Sequence, residues 1–420
     1  MMHGELGDDR SQVERADDTD WTLVIEPGRT TLPSVLKKAG WRTGIVGKWH
    51  LGLGSGAIDW NGEISPGPNE LGFDHSFIMA ATGDRVPCVY VENRRVVGLD
   101  PADPIVVDYK NAIPGVPTGR NNPERLRMKP SHGHDMSIVD GVSRIGWMKG
   151  GTAALWKDTE MSDRFRDEAL KFIAAAKGAP FFLYFALHEP HVPRIPHPRF
   201  VGKSGMGPRG DAILQLDDAV GRVMATLDEL KLAGDTLVIF TSDNGPVVDD
   251  GYQDQAVELL GGHKPGGPWR GGKYSAFEAA TRVPFMVRWP GRITPGTSAA
   301  LVSQVDLLTS LSALAGTETP TRDGQNLLPA LLGQDKVGRR QLVEHNATLS
   351  LRDGQWKYIA PSKGPAKYAA TNTETGLSQQ EQLYDVSTDP GETKNLASEQ
   401  PERVAAMRAT LEQVRGEAAK

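Results

Sequence analysis

Phe181-Phe182-Leu183-Tyr184-Phe185-Ala186-Leu187 is an unbroken apolar run, and a run without polar alternation fits a strand covered on both faces. Before it, from Ser162, the residues Phe165, Ala169, Phe172, Ile173 and Ala176 recur at helical spacing. Ser162 is the expected cap, and Gly178 and Pro180 the stop. The pattern then repeats. Ile213, Leu216, Val220, Val223, Leu227 and Leu230 form a second helical stripe ending at Gly234, and Thr236-Leu237-Val238-Ile239-Phe240-Thr241 reads as a second buried strand. Helices alternating with buried strands argue for an α/β fold with a parallel or mixed sheet, and such sheets take ligands beyond their strand ends. Both strands end in polar clusters, His188-Glu189-Pro190-His191 and Ser242-Asp243-Asn244-Gly245.

A third stretch leads from structure toward chemistry. Thr31 to Ala39 puts Leu32, Val35 and Leu36 on one helical face, Gly40 supplies a left-handed stop, and Arg42 to Val46 runs extended into Gly47-Lys48-Trp49-His50. Lys48 and His50 stand two apart, which on an extended segment sends both side chains from one face. Such a pair can grip one anion; read alone, it fits a snorkelling lysine and a surface histidine equally well. Gly52 to Phe77 reads as loop, and Val86 to Val97 as a hairpin in which Cys88 is a buried structural thiol. Pro101 to Gly151 reads as a long irregular loop, and its Arg120, Arg125, Arg127, Lys129, His132 and His134 offer either a solvated basic surface or a wall facing an anionic ligand.

Length and charge narrow the classes. At 420 residues the chain exceeds what one core fills, so we expect a polar segment over 1–29, a large α/β domain over 30–335 and a small α+β domain with a terminal helix over 336–420. The small domain holds short strands around Gln341–Val343, Trp356–Ile359 and Leu383–Asp385, with Leu301 to Ala315 helical before it. A formal charge of −6 gives no footprint for nucleic acid, and no apolar run is long enough for membrane insertion. One cysteine excludes an intrachain disulfide and a cysteine zinc cluster. The first twenty residues hold seven acidic and two basic side chains, unlike an export signal.

Asp243 and Asn244 offer adjacent oxygen ligands suited to calcium or magnesium, or simply an Asp-Asn-Gly turn. His188 and His191 lack the further ligands that would complete a zinc site. Lys273, between glycine-rich neighbours, is a cation on a loop that a substrate can approach. In order, Gly40-x-x-Thr43-x-x-x-Gly47-Lys48-x-His50, His188-x-x-His191-x-Pro193, Thr241-x-Asp243-Asn244-Gly245-Pro246 and Arg270-x-Gly272-Lys273, with Arg282-Val283-Pro284-Phe285 after them, resemble the sulfatase family of the alkaline phosphatase superfamily. Leu383-Tyr384-Asp385, Asp389-Pro390-Gly391-Glu392 and Asn395-Leu396 resemble that family's C-terminal segment. The resemblance implies an alkaline-phosphatase-like α/β fold, a mixed, mostly parallel sheet flanked by helices with a smaller C-terminal α+β domain, and hydrolysis of an aryl or carbohydrate sulfate ester. It also implies that Lys48 binds a sulfate oxygen, that His50 orients the nucleophile, and that His191 and Lys273 hold sulfate and assist the leaving oxygen. Asp243 and Asn244 become half of a calcium site.

The family's nucleophile is a formylglycine made within Cys/Ser-x-Pro-x-Arg, and this motif and the paired aspartates of the family's first strand are absent ahead of Lys48. Cys88 is followed by Val89 and Tyr90 and does not fit. Asp8-Asp9 and Asp17-Asp18 follow no apolar strand and read as acidic tail. The expectation is therefore a truncated, inactive chain whose complete parent is periplasmic or secreted. A phosphodiesterase or phosphonate hydrolase of the same superfamily and a non-catalytic binder of sulfated ligands are the alternatives. Lys48, His50, His191, Asp243 and Lys273 are expected to converge, with an unpaired sheet edge beside the buried strands.

Overall fold

The computed structural model describes residues 22–418 apart from 320 and 322, so Asp8-Asp9, Asp17-Asp18 and most of the polar 1–29 segment lie outside the described residues. The chain forms two compact units. One runs to Ala233 and takes in Gly251–Gly261; the other comprises Gly234–Asp250 and the chain from Gly262 onward.

In chain order the first unit holds α1 (Leu32–Lys38), β1 (Arg42–Lys48), β2 (His75–Met79), the hairpin β3 (Tyr90–Glu92) and β4 (Arg95–Val96), α2 (Met161–Ala176), β5 (Phe181–Ala186) and α3 (Gly207–Glu229). Thr31 caps α1 by accepting the Ser34 N–H, and Gly40 takes the left-handed conformation that ends it (φ 86°). β1 lies inside the sheet β4-β3-β2-β1-β5, parallel to β2 on one side and β5 on the other, while β2-β3-β4 is antiparallel. Gly47 makes the β1–β5 approach feasible: a Cβ there would lie 1.9 Å from the Ala186 carbonyl oxygen.

β5 departs from expectation. The apolar run read as buried on both faces is the last strand of its sheet, with β1 its one neighbour among the described residues, and all six of its residues are only half-buried. Composition reports what a strand can bury; the burial reached depends on what packs around it. The α2 stripe is buried as expected, but Ser162 does not cap the helix. A 3-10 turn over Asp158–Glu160 starts the helix earlier and leaves Ser162 buried inside its first turn. Of the apolar stripe on α3 only Leu227 is fully buried, and Lys231, not Gly234, adopts the left-handed conformation after it (φ 59°). The long loop is not irregular throughout: Val106–Asp108 pairs with Trp147–Lys149, and Ile138–Val139 with Val142–Ser143.

The second unit contains β6 (Val238–Thr241) paired antiparallel with β7 (Phe285–Arg288), and α4 (Asp306–Leu314), shorter than the Leu301–Ala315 expected. β6 is also half-buried, with β7 its one neighbour among the described residues. Then β8 (Gln341–Asn346), β9 (Thr348–Asp353), β10 (Trp356–Ile359) and β11 (Gln382–Asp385) form an antiparallel sheet in that order. α5 (Pro401–Ala418) buries Val404, Met407 and Leu411 against Leu351, Tyr358 and Leu383. Asn346-Ala347-Thr348 is the β8–β9 turn, with Ala347 left-handed (φ 62°). No described helix is long and apolar enough to cross a membrane.

Candidate functional site

In the first unit, polar groups gather after β1, β2 and β5. Lys48 is the last residue of β1. Backbone pairing continues one step further, Trp49 N–H to Met79 O and His50 N–H to Ala80 O, both 3.1 Å. His50 itself is left-handed (φ 55°), so the strand alternation that would have put Lys48 and His50 on one face stops at Lys48.

The turn after β2 carries Asp84, which is 3% exposed. Its carboxylate accepts the Thr82 hydroxyl, lies 3.0 Å from an Arg85 Nη1 and 3.0 Å from His134 Nε2. Burial alone would push this carboxyl up, but the Arg85 charge, the His134 hydrogen bond and the nearby His191 hold it well below the ordinary carboxylate value. Burial likewise opposes charge on His134, yet its bond to Asp84 and its Nδ1 contact with the His132 carbonyl, 3.0 Å, keep its pKa raised. The His134 ring lies 4.8 Å from that of Tyr252.

His188 behaves in the opposite way. It is 7% exposed, neither ring nitrogen has a hydrogen-bond partner among the described residues, and burial together with the Lys48 ammonium pushes it down to about 3. It is therefore neutral at physiological pH. Its ring lies 5.5 Å from that of His191, whose Nδ1 is 2.7 Å from the Val192 carbonyl. A Cβ on Gly83 would sit 2.7 Å from His188 Nε2, so the glycine lets the Asp84 turn close onto the histidine. Lys48, His188, His191 and Asp84 thus form one electrostatic neighbourhood.

Half of the six basic-loop residues, Arg120, Arg127 and His134, are neutralised by carboxylates, while Arg125, Lys129 and His132 are exposed. Arg120 pairs with Asp135 at 2.9 Å, Arg127 with Asp140 at 2.5 Å and Asp158 at 3.0 Å, and His134 with Asp84. Arg144, fully buried, donates to both oxygens of Asp158, at 2.6 and 2.7 Å, sharing Oδ2 with Arg127. Cys88 is the buried thiol expected, pushed up to about 12 by burial, and is no nucleophile.

In the second unit, Asp243 and Asn244 follow β6. Asn244 donates its N–H to Asp243 Oδ1 at 2.9 Å and its side-chain amide to the Gly245 carbonyl at 2.9 Å, while Gly245 N–H bonds Ala280 O at 2.8 Å. The Lys273 N–H is anchored on Pro246 O at 3.1 Å. Burial opposes the Lys273 charge, but Tyr274, Asp250 and Asp243 raise its pKa, so the ammonium persists. Tyr274 packs on Tyr368, centroids 4.7 Å apart.

A calcium ion takes about six to eight oxygens. Asp243 and Asn244 supply two, and among the described residues no group of three or more His, Cys, Asp or Glu is arranged around a metal. These residues do not fit a complete calcium site. Asp84 and Asp250 carry no sign in the sequence, since each lies outside the four ordered motifs and a lone aspartate in a turn has no spacing signal; His134 reads there only as one of the basic-loop residues, without its partner Asp84.

Residues 19–317 match the family model for sulfatases, and residues 272–417 match that for the C-terminal region of N-sulphoglucosamine sulphohydrolase. The chain is 52% identical over 399 residues to the N-acetylgalactosamine-6-O-sulfatase of Bacteroides thetaiotaomicron, covering 94% of this chain and 78% of that one. It is 32% identical over 389 residues to arylsulfatase A of Homo sapiens, covering 87% of this chain and 66% of that one. A Bacteroides thetaiotaomicron structure from work on the metabolism of multiple glycosaminoglycans superposes with a TM-score of 0.93 at 51% identity, over 95% of this chain and 84% of that one. A Pseudoalteromonas sp. sulfatase gives a TM-score of 0.65 at 21% identity, over 96% of this chain and 79% of that one, a likeness of fold alone.

Proposed function

Since the chain belongs to the sulfatase family of the alkaline-phosphatase-like superfamily, and so to the sulfuric ester hydrolases, we propose that its substrate is the 6-O-sulfate of an N-acetylgalactosamine residue in a glycan. The observation that carries this reading is the Lys48, His188 and His191 neighbourhood in a chain 52% identical to an enzyme named for that ester. Lys48 binds a sulfate oxygen. His191 holds sulfate with it, and His50 would orient a nucleophile that these 420 residues do not themselves contain. Lys273, whose charge persists, likewise holds sulfate and, with His191, assists the leaving oxygen. Fixed cations suit this reaction because negative charge builds on the sulfate oxygens and the leaving oxygen in the transition state. His188, neutral beside Lys48, adds no competing charge. A periplasmic or secreted location suits a glycan substrate.

Calcium and formylglycine accompany the family, but two oxygen ligands do not make a calcium site, and no Cys/Ser-x-Pro-x-Arg occurs in these 420 residues. We assign no step to either. Ester binding without turnover is the behaviour we expect of residues 1–420 alone.

Calorimetric titration with N-acetylgalactosamine 6-sulfate, its 4-sulfate isomer and its 6-phosphate analogue tests this, alongside an assay for released sulfate. The 6-sulfate should bind best, with no sulfate released, and Lys48→Ala or His191→Ala should each weaken binding by about 10- to 100-fold. Preference for the phosphate would move the chain toward phosphoester chemistry. Multiple turnover lost in His191→Ala would place a nucleophile within these residues.

A further inference from the structure

Arg270 to Glu278 carries Lys273 near its middle, and both ends of this span are held by one residue more than a hundred positions away. At one end Arg270 Nη1 donates to the main-chain carbonyl of Glu392 at 2.8 Å; at the other the Glu278 N–H donates to Glu392 Oε2 at 2.7 Å. Two further ties run alongside: Arg270 pairs with both oxygens of Glu374 at 2.8 and 3.2 Å, and Ala276 N–H bonds Thr375 O at 2.8 Å. Between the ends lie Gly271 and Gly272, which offer little resistance to backbone motion.

Glu392 is built to be a fixed point. It is 0% exposed, and it lies in a turn where its N–H bonds Asp389 O at 3.0 Å while Asp389 Oδ2 accepts the N–H groups of Thr393 at 2.7 Å and Lys394 at 2.9 Å. Its Oε1 is buried with no hydrogen-bond partner among the described residues. We propose that Glu392 is the positioning residue for Lys273, clamping the two ends of its span through its main-chain carbonyl and its carboxyl. The inference rests on the reading of Lys273 as a sulfate-holding cation.

The carboxyl sits among charges. Glu278, Glu344 and Lys357 face it, Lys357 lying 3.3 Å from Glu278 and 3.4 Å from Glu344; Arg352 and Arg282 contact Glu278 at 3.6 and 3.1 Å, and Arg270, Tyr384 and Asp389 complete the surroundings. Burial, with the charges of Glu278 and Glu344, pushes Glu392 up to about 7 against the opposing Lys357 and Glu278 N–H. A carboxyl raised in the closed state stabilises closure fully below its ordinary value of 4.5 and loses that contribution as pH rises through about 7.

Amide hydrogen exchange on residues 271–278, corrected for intrinsic rates and followed across that pH window, tests the clamp without any ligand. In the wild type protection should fall as pH rises toward 7 and then level off. Glu392→Gln keeps an oxygen for the Glu278 N–H and should stay protected with no pH step, whereas Glu392→Ala and the half-exposed Arg270→Ala should lose protection in this span while β9 and β10 keep theirs. Affinity for N-acetylgalactosamine 6-sulfate should drop about tenfold in Glu392→Ala and be restored in Glu392→Gln. Unchanged protection in both alanine variants, or a loss shared equally by β9 and β10, would overturn the clamp. Protection lost with sugar affinity intact would instead overturn the place of Lys273 in the site.

Discussion

Asp84 and His134 show how one buried pair sets a pH window. Asp84 is depressed, so its contribution to stability is present above its ordinary value of 3.8 and disappears as pH falls through its lower folded value. His134 is raised, so its contribution is complete below its ordinary value of 6.5 and disappears as pH rises through its higher folded value. The pair is therefore most effective in mildly acidic solution. Asp84→Asn should cost about 3–5 kcal/mol there, because it leaves a buried imidazolium beside Arg85 without its counter-charge, and less at alkaline pH. Urea unfolding at pH values on either side of the His134 transition measures the difference. Equal losses at both would mean that the pair is not ionic. His188, packed against Gly83 of the same turn, pulls the other way: its folded pKa is pushed down to about 3 while the unfolded imidazole titrates at 6.5, so keeping it neutral costs stability increasingly as pH falls below 6.5.

At the scale of elements, β5 and β6 each present one edge that no described strand covers. An edge strand of six apolar residues, without a charge or proline, is a template for another chain. The protein should therefore associate with rising concentration across the micromolar range, measured by light scattering and sedimentation velocity. A monodisperse monomer throughout would show that the edge is protected. What the sequence disclosed at this scale, and what it did not, follows from the range of the forces involved. The Thr31 cap, the Gly40 stop, the α2 stripe and the β10 strand are decided within a few residues, and they are where the pattern put them. Ser162 as a cap failed because a preceding 3-10 turn, invisible to periodicity, began the helix sooner. Lys231 took the role expected of Gly234, and His50 left the strand geometry that Lys48 keeps. Burial of β5, and the pairing of Asp84 with His134 fifty positions on, depend on neighbours distant in sequence, for which a single chain offers no local sign.

For the whole molecule, the sulfatase motifs divide between the units: Lys48, His50 and His191 belong to one, Asp243, Asn244 and Lys273 to the other. Each set has its own electrostatic support, Asp84 and His134 in the first and Asp250 and Tyr274 in the second. A cation held tightly by the folded state raises its melting temperature in proportion to the logarithm of its concentration. With two oxygen ligands in place, millimolar calcium should leave the melting temperature of residues 1–420 unchanged within about 1 °C, read by scanning fluorimetry. A clear calcium-dependent rise would reveal ligands beyond Asp243 and Asn244.

The route of the chain between the units bears on how the molecule is made. Tyr252, whose hydroxyl bonds Ser143 O at 2.8 Å, and Asp254, which pairs with buried Arg194 at 2.6 Å, belong to the first unit but are synthesised after β6. A ribosome adding about 5–20 residues per second needs seconds to go from Ala233 to Gly261, and during that pause the nascent first unit lacks the two side chains that close over Ser143 and Arg194. Translation speed across this short interval thus sets how long a nearly finished unit waits, open, for its last piece.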